Sequence, residues 1–167
     1  MFDFEFEHIV HDQFDLVFDQ GCYLWIFHAD KIPPHIGVSI HGHFYSLKSS
    51  GADIDLDAAK VFRLIRDKKL SSFLIKLSKE FSIEDIERKF QKYSKAQAGS
   101  ITCLTPVKEI LGVEFVSKLS ELLVELQKEQ VLLAVYGYNL PSGLNGIRAY
   151  TTADITIRLL DLENKTK

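Results

Sequence analysis

A chain of 167 residues can bury most of its apolar surface in one domain, and 46% hydrophobic against 26% charged residues is the balance of an ordinary globular protein. A formal net charge of −3 and a pI near 6.1 supply no basic field, which excludes nucleic acid as an expected partner. Apolar runs such as residues 131–136 fall far short of the ~20 residues of a membrane span, and the acidic, alternating first residues lack the pattern of a secretory leader.

Phe2, Phe4 and Phe6 alternate with Asp3, Glu5 and Glu7, the pattern of a half-buried strand with acids on its wet face. Residues 14–18 are expected to continue that sheet or to cover its edge. After a turn at residues 19–21, residues 23–27 are apolar without a break, as in a strand covered on both faces. Pro33 and Pro34 then precede a strand over residues 35–40, a two-residue turn at His41 and Gly42, and a strand over residues 43–48. That register sets Ile40 opposite His43, Val38 opposite Tyr45, Gly37 opposite Ser46 and His35 opposite Lys48. It puts His35, Gly37 and Ser39 on one face with Phe44, Ser46 and Lys48. Residues 49–51 are expected to end the hairpin.

From Asp57 the period becomes helical, through Ala58, Val61, Phe62, Leu64 and Ile65. Leu70, Phe73, Leu74 and Leu77 continue that spacing to about Phe81. Ser82 and Asp85 stand at capping-box spacing ahead of a helix carrying Ile86, Phe90 and Tyr93. Residues 96–100 read as a loop. A short helix over about residues 103–111 stops at Gly112, and a longer one carries Phe115, Leu119, Leu122, Leu123 and Leu126. Residues 131–136 return to strand, and residues 140–146 form a loop. Residues 147–162 look strand-rich through Tyr150, Ile155, Ile157, Leu159 and Leu160, and residues 163–167 are expected to fray. Strands, then helices, then strands make an α+β fold in a single domain spanning residues 1–167.

Two cysteines without a leader suggest free thiols in a reducing compartment, so a cytoplasmic location is expected. Cys22 falls inside the continuous apolar strand and reads as core. Cys103 is different. With Thr102 as N-cap, it takes the first helical position, where unpaired N–H groups and the helix dipole stabilise a thiolate. Thr105 and Pro106 offer a rival helix start, which would leave Cys103 in the preceding loop. His35, at a strand start after two prolines, is the candidate base, and Ser46, diagonal to it, is the candidate orienting group. The plainer reading makes Cys103 a small buried apolar residue and His35 a partner for a loop carbonyl. His28, His35, His41 and His43 lie close in sequence, but turn histidines in water explain them better than a metal site. No cofactor motif is present, and neither cofactor nor metal is expected.

The stretch carrying His35, Gly37, Val38, Ile40 and Gly42 after an apolar strand, followed much later by Cys103 at a helix start, resembles the circularly permuted branch of the papain-like superfamily. This branch holds the NlpC-type and lecithin-retinol-acyltransferase-like proteins. The resemblance covers roughly residues 21–50 and 100–112. It implies a small antiparallel sheet packed against the cysteine helix, with Cys103 as nucleophile, His35 as base and later acid, and Ser46 near the place of the third polar residue. It also implies hydrolysis or acyl transfer on an amide, ester or thioester. The rival expectation is a non-catalytic interaction or ligand-binding domain, and a histidine-based metal protein comes third. The substrate, a small molecule or a peptide, is undefined, and the N-terminal phenylalanine strand is a candidate edge for pairing with a second copy.

Overall fold

The continuous apolar run organises the molecule. In the computed structural model, which describes residues 1–165, it forms a strand buried at all six positions. The elements in chain order are β1 (Phe2–Glu5), β2 (Val10–His11), β3 (Cys22–Phe27), β4 (His35–Ile40), β5 (His43–Lys48), β6 (Gly51–Asp57) and α1 (Ala58–Asp67). They continue as β7 (Ser72–Leu77), α2 (Ile83–Gln91), α3 (Leu104–Ile110), α4 (Leu119–Lys128), β8 (Leu132–Tyr138), β9 (Gly146–Arg148) and α5 (Thr152–Lys165). Seven strands form one sheet in the order β2-β8-β7-β3-β4-β5-β6, antiparallel except for the parallel β2-β8 pair, and β1 pairs with β9 separately. The class is mixed α+β, with a larger sheet than the small one anticipated.

Alternation along β3 splits the core in two. Cys22, Leu24 and Ile26 face a cluster with Ile36, Val38 and residues of α2, α3 and α4. Tyr23, Trp25 and Phe27 face the other side, against Phe44 and the α1 residues Ala58, Val61, Phe62 and Ile65. Phe14 and Phe18 make no strand; Phe14 packs on Phe62 and Tyr138, and Phe18 on Trp25, so this segment closes the α1 side. The β1–β9 pair takes one edge of the N-terminal strand within the chain, with Phe4 opposite Ile147.

The expected hairpin is present in register: Ile40 pairs with His43, Val38 with Tyr45 and Gly37 with Ser46. His41 and Gly42 both have positive φ, +48° and +86°, as a type I′ turn requires. The hairpin does not end at Gly51. A further strand, β6, adds to its outer edge.

Two further segments differ from the sequence expectation. Residues 72–77 are strand β7, because the helix of residues 58–67 stops at Lys69 (φ +51°), where the Leu70 N–H turns back to the Ile65 carbonyl at 3.0 Å. Phe73, Ile75 and Leu77 then enter one core and Leu74 the other, so a strand buried on both faces carries apolar residues at spacings that also fit a helix. Residues 152–165 are helix α5 rather than strand. Thr151 and Asp154 cap it reciprocally, Thr151 N–H to Asp154 Oδ2 at 2.7 Å and Asp154 N–H to Thr151 Oγ1 at 3.2 Å. Only Ile147 and Arg148 of the expected strand-rich stretch lie in a strand. Of the expected frayed tail, residues 163–165 end α5, and residues 166–167 lie outside the described residues. Among the described residues, no helix is long and apolar enough to cross a membrane.

Candidate functional site

Four distant segments line an open cavity of about 340 Å³: the diproline at the start of β4, the β5–β6 turn, the approach to α3, and one face of α5. Cys103 and His35 both line it. The sequence expectation paired these two side chains, and the fold brings both to this chamber.

The start of α3 is built by two threonines. The Thr102 hydroxyl accepts from the Leu104 N–H at 3.2 Å, and the Thr105 hydroxyl accepts from the Thr102 N–H at 2.9 Å. This is the reciprocal logic of a capping box, so the rival helix starts at Thr102 and Thr105 are two halves of one cap. Cys103 takes the N-cap position with helical backbone (φ −60°, ψ −22°), one residue before the first helical position expected for it. Pro106 falls in the first turn, where its missing N–H is not needed.

The two cysteines have different surroundings. Cys22 is fully buried and its thiol is pushed up to about 12, a value at which it stays inert. Cys103 is half-buried. Burial raises its thiol, while N–H groups of Ile36, Cys103 and Leu104 act on the sulfur in the opposite direction. The Ile36 contact sets the sulfur against the backbone of β4 one residue past His35.

His35 lies opposite Phe27, and its ring stacks on that phenyl at 5.8 Å. Burial pushes the imidazole down to about 4; Lys48 and His28 add to that, and Asp53 opposes it. At neutral pH the ring is therefore uncharged and the thiol protonated. In this resting geometry the sulfur is engaged by backbone donors and the ring by Phe27, with no hydrogen bond between them among the described residues.

Gly37, two residues on, is dictated by packing. A Cβ there would sit 2.7 Å from Phe44 Cζ and 2.9 Å from the Tyr45 carbonyl oxygen. The His-x-Gly pattern thus serves the aromatic layer of Trp25, Phe27 and Phe44 as much as the site.

Ser46 is buried, and its hydroxyl donates to Asp53 Oδ2 at 2.9 Å rather than to His35. Asp53 also pairs with Lys48 at 3.2 Å. This carboxylate, absent from the sequence candidates, is the acid that acts on His35. Its signal was the alternation of Asp53, Asp55 and Asp57 with Ile54 and Leu56, an edge-strand pattern directly after the hairpin. Of the remaining clustered histidines, His28 lines the cavity, His41 occupies the turn, and His43 pairs with Asp55. No three metal-ligating side chains converge among the described residues. No family model matches this chain, and no curated protein or solved structure matches it either.

Proposed function

We propose that this chain is a thiol-dependent hydrolase or acyltransferase acting on an amide, ester or thioester, with Cys103 as nucleophile and His35 as its proton acceptor. One observation carries the proposal: a half-buried cysteine at a capped helix start and a neutral histidine at a strand start line the same cavity. The resemblance to permuted papain-like proteins points the same way. Substrate entering the chamber closes the gap: as the Cys103 S–H bond breaks, its proton passes to a His35 ring nitrogen and a sulfur–carbon bond forms at the acyl carbon. The oxyanion is met by the backbone N–H at Cys103. His35 then returns the proton to the leaving group as the bond to it breaks. Water, or an acceptor hydroxyl or amine, takes the acyl group and restores the thiol. Asp53 has the role of favouring the protonated ring, and Ser46 of positioning Asp53. A free thiol of this kind suits a reducing compartment such as the cytoplasm.

A second reading, a pocket that binds without reacting, is favoured by the resting electrostatics, since burial opposes charge on both sulfur and imidazole. Intact-mass analysis after exposure to p-nitrophenyl butyrate separates the two. The enzyme reading expects an acyl adduct on Cys103, absent in Cys103→Ser and formed at least tenfold more slowly in His35→Ala. No adduct on the folded chain, with both thiols reacting with iodoacetamide only after denaturation, favours the binding pocket.

A further inference from the structure

Among the described residues, every charged side chain lining the Cys103 cavity is a cation: Lys31, Lys48 and Arg158 border it. In a chain with 23 acidic residues against 20 lysines and arginines, that lining departs from the average in sign. Lys48 is shared with Asp53, whereas Lys31 and Arg158 make no ion pair among the described residues. Their field is felt inside the chamber: the His28 ring is lowered by burial first and then by Lys31 and Arg158, against Asp30. The rest of the lining includes apolar side chains: Ile155, Leu159 and Leu162 from α5 border the same space as the Cys103 sulfur. At about 340 Å³ the cavity is near the lower end of the ~300–1,000 Å³ typical of ligand pockets, enough for one short chain and too small for a two-chain lipid.

We infer that this cavity selects a short- to medium-chain acyl compound bearing an anionic group, carboxylate or phosphate, with its hydrocarbon against Ile155, Leu159 and Leu162 and its charge held by Lys31 and Arg158. This rests on the proposed Cys103 chemistry only for the word acyl. The selectivity for an apolar chain with a negative end stands on the lining itself. Arg158 is half-buried and Lys31 exposed, so both can reach an anion at the mouth of the pocket, and an apolar chain gains by leaving water in the same step. A bound anion also offsets the positive field on His35, which favours the protonated ring that acyl transfer requires.

The test uses unreactive probes on the Cys103→Ser chain: octanoate, octyl phosphate, octanol and octylammonium, with binding followed by calorimetry. The expected result is that both anions bind at least tenfold more tightly than octanol and octylammonium does not bind. Whichever anion is tighter identifies the head group. Lys31→Gln and Arg158→Gln should each weaken anion binding several-fold and leave octanol unchanged, with thermal melts showing both variants folded. Octanol or octylammonium binding as tightly as octanoate, no binding by either anion, or anion affinity indifferent to both substitutions would overturn the inference. Because these probes carry no reactive carbonyl, an inert thiol in the ester experiment leaves this result intact, and a failure here leaves the nucleophile assignment standing.

Discussion

Acid should destabilise this protein through His35 in a way that a single substitution removes. In the folded chain the ring is held down to about 4 from its ordinary 6.5. As the pH falls below 6.5 the unfolded chain binds a proton that the folded chain refuses, so folding stability declines until the folded ring also titrates. Stability that this site keeps above pH 6.5 is thus lost between pH 6.5 and pH 4. Each pH unit in that window is worth ~1.4 kcal/mol for one proton, giving a loss on the order of 3 kcal/mol. Half-burial of the residue trims this figure and does not reverse it. The assay is urea unfolding from pH 7.5 to pH 4, followed by the fluorescence of Trp25, the single tryptophan, fully buried against Phe18 and Phe44. Carboxylates and His28 contribute to both chains, so the readout is the difference in slope between wild type and His35→Gln. Parallel curves would refute the assignment of His35 as a buried neutral ring.

Three further outcomes follow from local geometry. Gly146→Ala should cost at least ~2 kcal/mol in a denaturant titration, because the new Cβ would fall 2.0 Å from the Phe4 carbonyl oxygen across the β1–β9 pair; a loss under half that would mean the pair yields easily. Asp53→Asn should push the His35 titration lower still, since it removes the one carboxylate favouring the charged ring and frees Lys48 from its partner; an upward move by NMR titration would contradict the electrostatics described. Asn139→Ala should destabilise by about 1–3 kcal/mol, measured by thermal melting, because its amide donates to the Ile65 and Leu70 carbonyls at 3.0 and 3.1 Å and its backbone is left-handed at φ +52°.

Elements whose local chemistry agreed with their tertiary surroundings were readable from residues alone. The unbroken apolar run of β3, the His41–Gly42 turn and its register, the Ser82 cap and the stop at Gly112 were all of this kind. Errors arose where two periods overlapped or where no breaker marked a boundary. A helix ending on Lys69 instead of glycine concealed the start of β7. In α5, Ile155 and Ile157 suggested a strand by β-branched propensity, while a Thr-Asp cap three residues apart and the spacing of Ile155, Leu159 and Leu162 set the helix. The shared cavity was legible in Cys103 and His35, which came from chemistry at element starts. It was not legible in its surroundings: Asp53 acts on His35 from β6 and Arg158 lines the cavity from α5, a strand and a helix that the pattern did not reveal.

The placement of α5 has a consequence for the order of events during synthesis. Cys103 and His35 emerge from the ribosome well before residues 152–165, so the nascent chain holds its thiol in an unroofed, watery trough. Only when α5 docks does the trough gain the wall that Ile155, Arg158, Leu159 and Leu162 contribute.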